Sequence, residues 1–186
     1  MNTIVFLYLL IFLFFISGYM FKRYIRIYPT FPFLYPCSEA ESKEVYNIMK
    51  KRTVEDEHFF YDTDESVTVE FKKWVPETNE QLNEMLDPYD YILYSLKYLI
   101  NRPRPEQVNE DVKQNKLHTY TGITPAYPSG HTLQAFILAH KLSEKYPSRK
   151  KELFDLAEKC GRARINAGVH YPSDHEFSKK LSSWLA

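Results

Sequence analysis

Glycine and cysteine are scarce in this sequence, at five and two among 186 residues. Few glycines and few alternating runs argue against an all-β sandwich, whose tight turns call for them. The two cysteines, Cys37 and Cys160, form no C-x-x-C pair, so a thiolate zinc site is not expected. They are compatible with one disulfide or with two separate buried thiols. Net charge is missing as well. The 24 basic side chains match 24 acidic ones, so no bulk field points to nucleic acid. There is no internal repeat and no low-complexity stretch. Aromatic residues are plentiful instead, at 16 %, which is too apolar for a disordered chain.

Charge is also absent from one end. No charged side chain occurs between Asn2 and Phe21, and residues 4–20, IVFLYLLIFLFFISGYM, have about the length of a bilayer-spanning helix. A soluble core helix would show a polar face, and this run shows none. A cleaved signal peptide wants a positive leading region and a small-residue cleavage site. Here only the α-amine leads and no A-x-A follows. Lys22, Arg23 and Arg26 come after the run, which favours an uncleaved anchor with its C-terminal side cytoplasmic. The expected organisation is a transmembrane signal-anchor over 1–21, a proline-stiffened linker over 22–37 and one folded domain over 38–186. The expected localisation is single-pass membrane.

Within that domain the reading is all-α. Ser38 and Glu41 form an S-x-x-E capping box before a helix over 39–52. Residues 53–66 are acidic and irregular. They lack the oxygen spacing and turn glycine of a calcium loop and read as a solvated loop. Residues 67–75, VTVEFKKWV, are a strand or the start of a helix, and periodicity alone does not decide. Helices follow over 78–87 and 89–101, the second ended by Pro103 and Pro105. A polar loop over 106–127 leads to a helix capped by Ser129 over 130–145. Two more span 149–166 and 173–185.

Three clusters of cations and histidines stand out. They are Lys97-x6-Arg104-Pro105, then Pro128-Ser129-Gly130-His131, then Arg164-x5-His170-x3-Asp174. Together they resemble the tripartite signature of the type 2 phosphatidic acid phosphatase superfamily. That group includes class A acid phosphatases, lipid phosphate phosphatases, glucose-6-phosphatases and vanadium haloperoxidases. The resemblance covers roughly residues 90–178. It implies a compact helical bundle of the acid phosphatase/vanadium haloperoxidase type. One position departs: the third motif usually begins Ser-Arg, and here Ala163 precedes Arg164.

The residue types suit phosphoryl transfer. That transition state spreads charge over three equatorial oxygens, and catalysis is mostly positioning and electrostatics. Lys97, Arg104 and Arg164 supply cations from separate segments, and an arginine fork can bind two oxygens. Ser129 and Gly130 stand at a helix start, where free N–H groups favour an anion. By the family's roles and by spacing, His170 is the nucleophile that forms a phosphohistidine. Asp174 orients it, and His131 is general acid and then general base. A bell-shaped activity favouring mildly acidic pH is expected. His58, His118, His140 and His175 match no motif position and read as structural. No metal-ligand cluster, P-loop or Cys-x5-Arg arrangement is present, so no metal or cofactor is called for.

The expected function is a metal-independent phosphatase acting on a lipid phosphate or a soluble monoester. The expected partners are that substrate and the membrane, with no nucleic acid. A vanadium-dependent haloperoxidase and a catalytically inactive membrane-anchored scaffold are the alternatives. Integral lipid phosphatases of the superfamily usually span the membrane several times. The segments 89–101 and 132–142 are too short and too polar for that, so the domain reads as soluble and tethered.

Overall fold

The computed structural model describes residues 31–186. The apolar run, the 1–21 anchor and most of the 22–37 linker lie outside the described residues, and the signal-anchor expectation lies there with them. No described helix is long and apolar enough to cross a membrane.

Every α or 3-10 element among the described residues is helical, and no strand is present. The helices are α1 Ser38–Met49, α2 Val54–Asp62, α3 Thr68–Phe71, α4 Asn79–Glu84 and α5 Asp87–Ile100. They continue with α6 Pro105–Val108, α7 Glu110–Asn115, α8 Gly130–Lys145, α9 Lys150–Asn166 and α10 Pro172–Leu185.

The centre is α8. Leu133, Phe136, Ile137, Leu138 and Leu142 are buried on it, each stabilising the fold by about 1.5–3 kcal/mol relative to exposure. This helix packs most extensively against α9, through Leu153, Leu156 and Ala157, and next against α10. A smaller apolar cluster joins Val45 and Met49 of α1 to Val112, Ile165 and Tyr171.

The structure corrects three local expectations and decides between the two alternatives for a fourth stretch. Ser38 is the first residue of α1 and not its cap: Cys37 holds the cap position without a side-chain bond, and Glu41 turns inward to Arg102 and Ser173. The acidic stretch 53–66 is mostly the helix α2, not a solvated loop. Its capping box uses Thr53 and Asp56, each side chain accepting from the other's backbone N–H. The undecided stretch 67–75 holds the short helix Thr68–Phe71, α3, with Val67 and Phe71 in the core. The supposed loop 106–127 holds α6 and α7. The cysteines are free thiols, Cys37 exposed and Cys160 buried.

Candidate active site

Lys97 comes from the buried face of α5, one turn after the core residue Leu93. Asn101 ends that helix in the left-handed conformation, φ 51°, with its N–H on the Lys97 carbonyl. Asparagine tolerates this backbone better than most residues. The chain then runs Arg102-Pro103-Arg104-Pro105, and both arginines are buried. Arg104 donates from Nε to the Thr124 carbonyl at 2.8 Å and from Nη1 to the Val169 carbonyl at 2.7 Å.

The second motif opens α8. Ser129 caps the helix by accepting from the Thr132 N–H. The first two N–H groups, of Gly130 and His131, have no intrahelical acceptor. Gly130 packs closely against α5. A Cβ there would sit 3.3 Å from Leu93 Cδ2 and 3.9 Å from Lys97 Cε.

The third motif is a helix end. After α9, Gly168 takes φ 80°, which favours glycine. The turn returns the Val169 and His170 N–H groups to the Arg164 carbonyl, at 3.1 and 3.3 Å. This is why five residues separate that arginine from the histidine. Pro172 then starts α10, and Asp174 caps it by accepting from the Tyr171 N–H at 3.0 Å.

These segments meet at one cavity of about 280 Å³, lined by Lys97, Arg104, Gly130, His131, Arg164 and His170 among others. Asp174 stands behind His170, its Oδ2 2.9 Å from Nδ1. Since the carboxylate only accepts, Nδ1 carries the proton, an assignment made from the network. The Nε2 lone pair then lies 3.3 Å from Arg104 Nη1. Burial, with Arg104 and Lys97 nearby, pushes the His170 pKa well below its ordinary value, which favours the neutral ring. Burial and Arg104 likewise depress Lys97, against Asp174. Its ammonium donates to the Pro125 carbonyl at 2.7 Å. Ser129 is buried beside the cavity and is not among the lining residues.

Arg164 is held from outside the motifs. Nη1 bonds Asp64 Oδ1, and Nη2 bonds the Phe60 carbonyl and Thr63 Oγ1, all at 2.8 Å. Its buried Nε has no partner among the described residues, which leaves a donor at the cavity wall. Burial lowers its pKa to about 10, against the pull of Asp64, so the charge persists at neutral pH.

Sequence reasoning missed Asp64. It is buried, and its carboxylate also accepts from Thr119 and Thr121 hydroxyls and from the Tyr120 N–H. Its carbonyl lies 3.0 Å from His131 Nε2, which therefore bears a proton. One residue thus ties Arg164, His131 and the cavity's 119–121 lip together. The Thr53–Asp56 capping box was the signal that could have placed it just past a helix. Arg102 and Glu41 were missed too. Arg102 is fully buried, bonds Asp174 Oδ1 and Glu41 Oε2 at 2.7 Å, and stacks 3.7 Å from the Tyr171 ring centre. His175, read as structural, is buried away from the cavity lining. Among the described residues, no group of three or more His, Cys, Asp or Glu side chains can hold a metal ion.

The chain is 43 % identical over 49 residues to a non-specific acid phosphatase of Salmonella typhimurium (strain LT2). It is 41 % identical over 49 residues to one of Salmonella typhi. In each case the aligned stretch is 26 % of this chain and 20 % of the relative, so the chain matches only about a fifth of those relatives' length. The family model described as the PAP2 superfamily matches residues 89–182, which carry all three motifs. Since that match takes in just over half of its length, the chain belongs to the PAP2 superfamily.

Proposed function

We propose that this chain is a phosphatase that hydrolyses phosphate monoesters through a phosphohistidine on His170, without a metal. The observation that carries the reading is the setting of His170 in the cationic cavity, with Nδ1 2.9 Å from Asp174 Oδ2 and Nε2 3.3 Å from Arg104 Nη1.

In the first step the Nε2 lone pair attacks phosphorus and the ester P–O bond breaks. The leaving oxygen takes a proton from His131. In the second step water attacks phosphorus, the N–P bond breaks, and His131 takes the water's proton. Lys97, Arg104 and the Arg164 Nε–H face the oxygens on which charge accumulates. The Gly130 and His131 N–H groups add two donors at the start of α8. Asp174 stabilises the positive charge that the His170 ring gains on attack.

The His131 proton has a natural source. A monoester has a second pKa near 6, so below that pH it enters as a monoanion and can pass its proton to the neutral imidazole. Activity then falls as pH rises through about 6.

The cavity rim offers Tyr94, Tyr120 and Ile123 to the leaving group, which suits an aryl or lipid ester. Residues 4–20 would anchor the domain at a membrane and bring lipid phosphates within reach.

The test uses the full chain in detergent with a chelator present. Aryl phosphate should be hydrolysed, and rapid denaturing quench should trap an acid-labile phosphoryl group on His170. His170→Ala should abolish both. An unchanged rate in that variant overturns the nucleophile. A panel of lipid phosphates against soluble monoesters identifies the substrate class.

A further inference from the structure

A guanidinium has five N–H donors, and in Arg102 each of them has an acceptor. Nε meets Ser38 Oγ at 3.3 Å. Nη1 meets Ser173 Oγ and Asp174 Oδ1, both at 2.7 Å. Nη2 meets Glu41 Oε2 at 2.7 Å and the Pro36 carbonyl at 3.4 Å. The ring centres of Tyr35 and Tyr171 lie 4.4 and 3.7 Å from its Cζ. Arg102 is fully buried and does not line the cavity, so any effect it has on the reaction passes through a neighbour.

That neighbour is Asp174. Its Oδ2 accepts from His170 Nδ1–H and from the Tyr171 N–H, and its Oδ1 accepts from Arg102. With both oxygens engaged, the plane of the carboxylate is fixed, and the imidazole with it. Burial favours the neutral acid in Asp174, and Arg102 is the chief charge opposing it. A neutral Asp174 would no longer hold the His170 proton on Nδ1, and the reactive tautomer would be lost.

Arg102 alone would overshoot. Its charge cancels that of Asp174, while the attacking ring gains a positive charge with nothing left to balance it. Glu41 supplies the missing anion. Its Oε2 accepts from Arg102 and from the Ser173 hydroxyl, and its Oε1 accepts from the Ser173 N–H, each at 2.7 Å. With both carboxylates ionised, Arg102, Glu41 and Asp174 leave one net negative charge. That is the charge His170 calls for once Nε2 bonds phosphorus. Glu41 stands on α1, outside the matched residues 89–182.

We propose that Arg102 and Glu41 are positioning residues for phosphoryl transfer, fixing Asp174 as the oriented anion that balances the charge His170 gains. This rests on His170 as the nucleophile. The other charged or titratable groups near Asp174 are Lys97, Arg104, His170, Tyr127 and Tyr171.

The test reads kcat/KM for an aryl phosphate against pH on the full chain in detergent, alongside the affinity for inorganic phosphate. Glu41→Gln keeps the shape of the pair and removes its charge. It should lower kcat/KM about tenfold or more without weakening phosphate binding, since the charge it balances appears only during attack. Arg102→Leu should move the acidic limb of the profile up by about one pH unit or more, because Asp174 loses its chief counter-charge. Damage to packing alone would weaken phosphate binding together with turnover and leave that limb in place. Glu41→Gln at the wild-type kcat/KM overturns the proposal, and so does a folded Arg102→Leu protein with an unmoved limb. Where Arg102→Leu does not fold, Glu41→Gln decides alone. His170→Ala is the control: at the wild-type rate it sinks the nucleophile reading, and this inference with it.

Discussion

His131 rests at the cavity wall with its pKa pushed down to about 3, by burial and by Arg164 against the pull of Asp64. An anion in the cavity offsets the cations that depress it, so phosphate should raise that pKa. A histidine depressed in the folded state costs stability as pH falls from its ordinary value near 6.5. Phosphate should reduce that loss. An NMR titration of the His131 ring, with and without phosphate, checks this. Titration near 6.5 in both states refutes it. Asp64 gives a second prediction. Burial pushes its carboxyl up, but the bonds from Thr119 and the Tyr120 N–H, together with the Arg164 charge, hold it below the ordinary range. Its contribution to stability is present above the unfolded pKa near 4 and is lost as pH falls through the lower folded value. Asp64→Asn should loosen both Arg164 and the 119–121 lip, lowering kcat/KM about tenfold or more. That variant's acid unfolding should also begin at a different pH from the wild type's. The cationic site residues were legible because each lies inside a motif of fixed spacing. Asp64 was not, because nothing in a stretch of six acidic residues marks the single one that turns inward. Its role exists only once α2 packs against α9.

Helix α2 shows why elements differed in legibility. Its nine residues include Glu55, Asp56, Glu57 and Asp62, so charge dominated its pattern and hid the core residues Phe59 and Phe60. The Thr53 cap and the acidic first turn are what hold this charged helix together. Thr53→Ala should therefore cost about 1 kcal/mol, seen in urea unfolding. By contrast α8 and α9 declared themselves, because long apolar patterns bounded by Ser129, Pro147 and Gly168 leave little choice. Helix α1 was anticipated, but its partner was not. Glu41 resembled a cap in sequence, and only the tertiary fold offers it Arg102. That arginine clasps α1 to α10 through Glu41, Ser173 and Asp174, with no exposure of its side chain. Removing it leaves two carboxylates uncompensated in the core. Arg102→Leu should cost about 3–5 kcal/mol in equilibrium unfolding, and a loss under 1 kcal/mol would show that the clasp is not structural.

At the scale of the molecule, the oxyanion cavity exists only in the folded chain. Lys97, His131 and His170 come from α5, α8 and the turn before α10, and they are brought together by the core around α8. An unfolded chain offers scattered cations with no shared site. On the proposed reading phosphate should bind the native state preferentially and stabilise it by mass action. At 100 times its dissociation constant the gain is about 2.7 kcal/mol. For a chain of this size that raises the unfolding temperature by about 5–10 °C. The rise should grow with the logarithm of phosphate concentration. It should shrink on Lys97→Ala and on Arg164→Ala alike, although these residues lie on different helices. A uniform salt effect would be reproduced by chloride at equal ionic strength and would ignore both substitutions. Thermal unfolding of the full chain in detergent, across a phosphate series with a matched chloride series, separates the two. A phosphate response that survives loss of either cation would mean that the anion sits elsewhere and that the three segments do not form one binding site.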